Sequence, residues 1–504
     1  MLSLIHVLEW RAAATPDAVA LTDHLGAELT YAELAAATQE RAALVAAAGI
    51  RPGDVVPIIA RNQVGWVTAM TGLIRAGALP AAVNWRLAVP EMTALLALLR
   101  PAAIVADAAC ATAAREAARG LADPVPVLIF VDDAAAAPGA RQLPDRPTER
   151  LRGPEPGILL HTSGTTGRPK LVPLTHQQLI MAAMFMKLEV PEALPGTRHL
   201  SALPLFHVAG LANLGYVLVT GGHLHVLSAF EPAGFVDELA SRRIQLTQLV
   251  PTLIHAVTSE VSSRPEPPDL SALVEIVYGA SPIRPDLLER AVGVLGCRFR
   301  QNYASSETGP LPISSLSPAD HDPALGLLGT AGRPSLGWEV RLGDRGEIQV
   351  RGAAPLPGYW DNPQATLDSL TPDGFYRTGD VGTIDAAGYL TIVDRLRDVI
   401  ITGGENVFPA EVEAVLARHP GVADVAVIGV PDERWGETVH AVVVARSSGL
   451  SDAELIGFAR DQLAGFKCPT GVTMVEALPR NATGKVLRAE LREPFWAGRD
   501  RRVS

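Results

Sequence analysis

Short apolar runs and amphipathic blocks alternate along most of this chain, and that alternation narrows the fold more than any other feature. Glu28–Ala36 reads as a strand edge running into a helix, and Val55–Ala60 as a buried strand. Pro90–Leu99 reads as a helix, because Pro90 suits a first turn and Pro101 sits beyond the end. The pattern breaks at Asp132–Gly157, an Ala/Pro/Arg-rich surface connection, and resumes to about residue 340. Strands separated by helices make parallel sheets, so the expected class is α/β. From Gly346–Val350 the chain turns β-rich, with short turns at Asp373-Gly374 and Ala387-Gly388. Beyond about residue 395 a compact α+β unit is predicted: helix Ala410–Arg418, strands Asp424–Val430 and Glu437–Ala445, helix Asp452–Leu463, strand Gly471–Val475, then a tail. The expected organisation is a large N-terminal domain over 1–394, of mixed and parallel sheets with helices plus a β-rich subdomain. A small C-terminal α+β domain over 395–504 follows.

Composition excludes other classes. With 504 residues, 48% hydrophobic and 19% charged, the chain can bury a large core and is not disordered. A net charge of −11 lacks the basic footprint of a nucleic-acid binder. Cys110, Cys297 and Cys468 are too scattered for a disulfide framework or a CxxC metal site, which fits a reducing, cytoplasmic compartment. Glu9 and Arg11 interrupt the N-terminus, which does not read as a secretory signal. His199–Phe230 contains no Asp, Glu, Lys or Arg, long enough to span a bilayer. Pro204, Asn213 and four glycines within it favour a buried helix and strand instead, with no transmembrane segment. Of the 43 basic residues only Lys170, Lys187, Lys467 and Lys485 are lysines.

The sharpest local feature is Ile158–Lys170, ILLHTSGTTGRPK. An apolar strand runs into Thr162, Ser163, Gly164, Thr165, Thr166 and Gly167, with Lys170 behind them. Glycines let backbone approach an anion, successive N–H groups form a nest, and the hydroxyls add neutral donors. That is a polyphosphate cradle. It is not a Walker A loop, because Pro169 precedes Lys170 and Leu171 follows it.

TSGTTGRPK resembles the signature of the adenylate-forming enzymes, which include acyl- and aryl-CoA synthetases, nonribosomal peptide synthetase adenylation domains and beetle luciferase. Further motifs follow in that family's order along essentially the whole chain: Gly279-Ala280-Ser281, Gln301–Glu307 (QNYASSE), Gly374–Asp380 (GFYRTGD), Asp394–Asp398 and Leu478–Lys485 (LPRNATGK). The resemblance implies ATP, Mg²⁺ and CoA as reactants and a carboxylic acid as substrate. It assigns nucleotide binding to 162–167, Lys170, Gly279, Ala280, Ser281, Asn302, Tyr303, Ala304 and Ser306, with Tyr303 flanking adenine. Asp380 holds the ribose, Arg395 the ribose or phosphate, and Glu307 the metal. Lys485 is the catalytic lysine, its compact ammonium placed between two mutually repelling anions. His207 gates the acyl pocket or bonds the carboxylate, beside Val208, Ala209, Gly210, Gly279 and Ala304. These segments read as apolar, so a monocarboxylate with an aromatic or medium-chain aliphatic tail is expected. Arg86, Gly403, Gly404, Trp435, Phe466 and Lys467 are assigned to CoA, and Arg397 to a hinge on which a mobile C-terminal domain turns.

The chain departs from the family pattern at Asp394, where glycine is usual, at Arg397, where Asp or Lys is usual, and at Cys468, where a basic residue often sits. Ala304 and Ser306 replace the family's Gly and Thr. The short stretch after Lys485 is expected to leave no room for a fused carrier domain. Loading of a separate carrier protein, oxidative use of the adenylate and a non-catalytic binding module remain the alternatives. The resemblance also admits a homodimer.

Overall fold

The computed structural model describes residues 3–129, 155–162, 169–191, 193–281, 283–352, 357–402, 405–447, 449–481 and 484–497. Two compact units emerge. The first comprises 1–329, 335–338 and 351–371; the second comprises 330–334, 339–350 and 372–504.

Two sheets organise the first unit. In one, the strands run in the order 127–129, 104–106, 55–59, 79–82, 156–162 and 170–175, parallel except for the closing antiparallel pair. In the other, the order 298–303, 275–279, 246–249, 198–201, 223–226 and 19–23 is parallel throughout. Strands buried on both faces read as continuous apolar runs, which is why Val55–Ile59 carries no polar residue. The chargeless stretch 199–230 supplies the strand Arg198–Ser201, the helix Val208–Thr220 and the strand His223–Val226, all mostly buried. That helix stops where Gly221 takes φ +76°, a left-handed cap that glycine adopts without strain. No described helix is long and apolar enough to cross a membrane. The helix His176–Glu189 starts with a reciprocal cap. Thr175 Oγ1 accepts from Gln178 N (3.1 Å), and Gln178 Oε1 accepts from Thr175 N (2.9 Å).

The second unit holds a sheet of strands 338–342, 347–352, 376–384 and 390–395, antiparallel from 347–352 onward, apart from Trp338, Arg351 and Gly352, which group with the first unit. It also holds a sheet of 405–407, 400–402, 436–445 and 422–432, with 471–474 parallel to 436–445. The sequence reading left Ile400–Thr402 and Glu405–Val407 unassigned and wrote the C-terminal residues as a tail. Arg488–Trp496 is instead a helix, with Leu491 and Phe495 packed on Ala426, Ile428 and Val430. Pro494 inside it masked the helical pattern.

Candidate active site

Parallel sheets offer ligand sites at the carboxyl ends of their strands. In the first unit Gly279, Ala280, Asn302 and Ala304 occupy such ends and line one cavity with His207, Val208 and Ala209. Pairing sets this up: Gly279 lies in register with Asn302 across the two strands. A Cβ on Gly279 would stand 2.3 Å from the Asn302 carbonyl oxygen, so glycine is required for this approach. Ala280 takes φ +70°, a left-handed conformation that costs a non-glycine residue about 1–2 kcal/mol. Alternation along the strand turns Asn302 and Ala304 to the cavity, while Tyr303 is buried on the opposite face. Val208, Ala209, Ala212, Asn213 and Tyr216 share one helix face and form the opposite wall. Gly210 is absent from that wall. Its missing Cβ lets the helix approach the Pro204 carbonyl, which a Cβ would meet at 2.3 Å.

His207 caps the helix it begins, its Nδ1 accepting from Ala209 N (3.3 Å). Burial lowers its pKa to about 4. His161, one residue before Thr162, is lowered to about 4 by burial and by His207, and its Nε2 accepts from Asn84 N (3.2 Å). Both imidazoles are therefore neutral at physiological pH, and because Nδ1 of His207 accepts from Ala209 N, its remaining Nε2–H can donate one hydrogen bond but supplies no cation.

The turn after Tyr303 is closed by reciprocal bonds. Ser305 Oγ accepts from Thr308 N (3.2 Å) and Thr308 Oγ1 from Ser305 N (3.0 Å), leaving Ser306 and Glu307 in the turn. Tyr359 Oη donates to Glu307 Oε1 (3.2 Å), and the ring of the same tyrosine receives Lys170 Nζ at 4.5 Å from its centroid. Sequence reasoning missed Tyr359. It reaches this point because Trp360 N donates to Leu171 O (2.9 Å), which ties the segment to the strand that Lys170 begins. Among the described residues no three His, Cys, Asp or Glu gather into a metal site. A single carboxylate still fits magnesium carried on a nucleotide, where phosphates and waters fill the other positions. Tyr359→Phe is expected to raise the KM for Mg-ATP by about 10-fold with a smaller change in kcat, since a bond to a charged group is lost. Steady-state kinetics on the variant checks this.

In the second unit, Asp380 lies in register with Arg395, and Arg395 Nε meets Asp380 Oδ1 at 2.6 Å. Lys485 stands in their field. Its turn is closed by Lys485 N donating to Asn481 Oδ1 (2.9 Å) and by Asn481 N donating to Lys485 O (2.9 Å). Burial lowers the Lys485 pKa to about 8; Arg395 and Arg397 push the same way, while Asp380 and Asp398 oppose. The charged form is thus lost as pH rises through about 8. The kcat/KM of a reaction needing that ammonium is expected to fall above about pH 8, well below the ordinary lysine range. A pH–rate profile that stays flat far above that value would contradict this.

Asp394, the departure at the hinge motif, is buried and bonded. Its Oδ2 accepts from Ala410 N (2.9 Å) in the first turn of the helix Pro409–Leu416, and its Oδ1 from Arg395 N (2.7 Å). Asp398 accepts from Arg492 (2.7 Å) on the C-terminal helix. Arg397 is exposed between these two anchored aspartates.

Of the CoA assignments, Arg86 lies over the Trp85 ring at 4.4 Å, and Trp435 and Phe466 are exposed. Lys467 makes a two-pronged ion pair with Glu411 (2.7 and 2.8 Å). Cys468 is a core residue, with its thiol against the Ala464 carbonyl at 3.5 Å. Ser281 is described and Thr162 pairs with Lys170 at the strand ends. Ser163, Gly164, Thr165, Thr166 and Gly167 lie outside the described residues, as do Gly403 and Gly404.

A model of the AMP-binding enzyme family matches residues 8–360, and one of the AMP-binding enzyme C-terminal domain matches 411–485. The chain belongs to the AMP-binding enzyme family. Among its relatives in that family, a feruloyl-CoA synthase from an Amycolatopsis species is 37% identical over 96% of this chain and 97% of its own. The fatty acid–[acyl-carrier-protein] ligase ScoC of Streptomyces coeruleorubidus is 34% identical over 95% and 94%. Among solved structures, the o-succinylbenzoate CoA synthetase MenE of Bacillus subtilis, in complex with its acyl-adenylate intermediate, superposes with a TM-score of 0.85. It is 29% identical and covers 96% of this chain and 97% of its own.

Proposed function

We propose that this AMP-binding enzyme is an acid–CoA ligase: it activates a carboxylic acid with ATP as an acyl-adenylate and passes the acyl group to CoA. Full-length relatedness to a CoA synthase and a CoA synthetase supports the reaction class. The observation that carries the chemistry is Lys485, a lone lysine amine held beside the Asp380–Arg395 pair.

In the first step a carboxylate oxygen attacks the α-phosphorus of ATP, the bond to the β-phosphate oxygen breaks, and pyrophosphate leaves. Two anions must approach, and Lys485 supplies the positive charge that offsets their repulsion. Asp380 and Arg395 orient the ribose end, and Thr162–Gly167 with Lys170 cradle the phosphates. Glu307, steadied by Tyr359, is the carboxylate that would hold magnesium, which neutralises the leaving pyrophosphate. Neutral His207 lines the acyl cavity, where its Nε2–H can donate to the substrate carboxylate. In the second step the CoA sulfur attacks the acyl carbon, AMP leaves, and the thiol proton passes to solvent. Arg86, Gly403, Gly404, Trp435, Phe466 and Lys467 are the proposed CoA contacts. Lys467 would have to exchange Glu411 for a CoA phosphate.

The division at 394, with Arg397 as the hinge between the two steps, belongs to the same proposal. Arg397→Pro should slow one half-reaction relative to the other; unchanged rates in both would remove the hinge assignment. A cytoplasmic enzyme on a monocarboxylate, aromatic or medium-chain aliphatic, is the reading that composition and cavity support. Acid-dependent exchange of pyrophosphate into ATP without CoA tests the first step. The carrier-protein reading is favoured by the likeness to ScoC. It is tested by offering the adenylate to CoA and to a phosphopantetheinyl carrier protein in parallel, and acceptance of the carrier alone would replace CoA.

A further inference from the structure

The carboxylate of Asp394 ties together two parts of the second unit that Arg397 separates. Upstream, Asp394 belongs to the strand Leu390–Arg395 and lies in register with Val381. Leu396 N still donates to Gly379 O (2.8 Å), on that same side. Downstream, Asp398 is held by Arg492 of the C-terminal helix (2.7 Å). Ile400, Val407, Val412 and Leu416 share one core, so the helix Pro409–Leu416 is packed into the C-terminal sheet. The bond from Ala410 N to Asp394 Oδ2 (2.9 Å) therefore joins one body to the other.

The helix depends on this bond. Phe408 at its N-cap makes no side-chain cap bond, and Glu411 in its first turn is occupied by Lys467. Orphan N–H groups at a helix start favour an anion, and Asp394 supplies one from outside the helix. The carboxylate depends on the helix in turn. Asp394 is only 8% exposed, and burial raises its pKa, with Asp398 adding to the effect. The Ala410 N–H and Arg488 oppose that shift from beyond Arg397, and the Arg395 N–H opposes it from the near side. Asp394 does not take a left-handed backbone conformation, so the position does not require the glycine usual in the motif. A glycine there could not make the bond.

A turn of the C-terminal domain about Arg397 would carry Ala410 away from Asp394 and break the bond. The orientation in which the bond is made is also the one in which Lys485, beyond the pivot, feels Arg395 and Asp380 on its near side. We infer that Asp394 is a positioning residue: it latches the domain in the orientation for acyl-adenylate formation, and the latch releases before thioester formation. This rests on the ligase and hinge readings above. A contact made in only one of two states shifts their equilibrium by the free energy of that contact, so the latch acts on both half-reactions with opposite sign.

The test compares the two half-reactions in Asp394→Ala, with benzoate, cinnamate and octanoate as the acids. Pyrophosphate exchange reads the first step, and single-turnover thioester formation from the preformed adenylate and CoA reads the second. Losing a helix cap shifts a two-state equilibrium by about 10-fold. The ratio of thioester rate to exchange rate should therefore rise by about that factor, with exchange falling. A merely structural role would lower both rates together; an unchanged ratio, or a lower one, overturns the latch. Asp394→Asn keeps an acceptor oxygen without the charge and should give an intermediate ratio. If the alanine variant does not fold, the asparagine variant decides, and a ratio no higher than wild type overturns the inference. If wild-type protein supports exchange with none of the acids, it is the ligase reading that fails. If Arg397→Pro leaves both rates unchanged, it is the hinge reading that fails. In either case the latch falls with it.

Discussion

Lys485→Ala is expected to slow acyl-adenylate formation by about 10²–10³-fold or more, the scale of losing one preorganised charge at a developing anion. Thioester formation from preformed acyl-AMP should change far less, because no second anion approaches in that step. The reason lies in the surroundings. Lys485 is half-buried and its pKa is lowered by burial first and by Arg395 and Arg397 next. Its charge is therefore weakly screened and acts strongly on an approaching phosphate. Arginine should not restore the rate, because a planar fork cannot sit as a point charge between carboxylate and phosphate. Pyrophosphate exchange and single-turnover thioester formation, measured side by side, separate the steps. Equal loss in both would remove Lys485 from the adenylation step.

Gly279→Ala should cost about 10²-fold in kcat/KM although it adds one methyl. The new Cβ would lie 2.3 Å from the Asn302 carbonyl oxygen, which is backbone and cannot rotate away. The strands 275–279 and 298–303 would have to part at their carboxyl ends. Those ends carry Ala280, Asn302 and Ala304, three residues of the cavity wall. A displacement near 1 Å in such a wall costs about this much through lost alignment. Circular dichroism should show a folded protein, so the loss can be assigned to the site. Full activity in this variant would mean that the cavity does not hold the acyl group.

The sequence was legible where function is written in contiguous residues. The apolar strand at Ile158–Leu160 ahead of the glycine-rich loop was legible from local pattern, whereas Gly279-Ala280-Ser281 and Lys485 stood out only through their resemblance to the family's motifs. Contacts across long separations were not legible. Tyr359 meets Glu307 from 52 residues away, and no local signal marks it as part of the site. Asn213 was visible as a polar residue in a chargeless stretch, but only its helical spacing with Ala209, Ala212 and Tyr216 reveals that it faces the cavity. Asp394 read as a lost glycine, yet its carboxylate caps a helix sixteen positions on. The four lysines also sort differently once their partners are seen. Lys170 packs on the Tyr359 ring, and Lys485 lies in the electrostatic field of Asp380. Lys467 is paired with Glu411, and Lys187, which had no assigned role, staples the Pro191 and Ala193 carbonyls.

The central claim is that one chain joins a carboxylic acid to CoA through an acyl-adenylate. Its most direct test is product mass from purified protein with ATP, Mg²⁺, CoA and a panel of carboxylic acids. The expected products are an acyl-CoA thioester, with AMP and pyrophosphate formed in equal amount. Acid-dependent formation of ADP, or no acid-dependent nucleotide product with any acid, would contradict it.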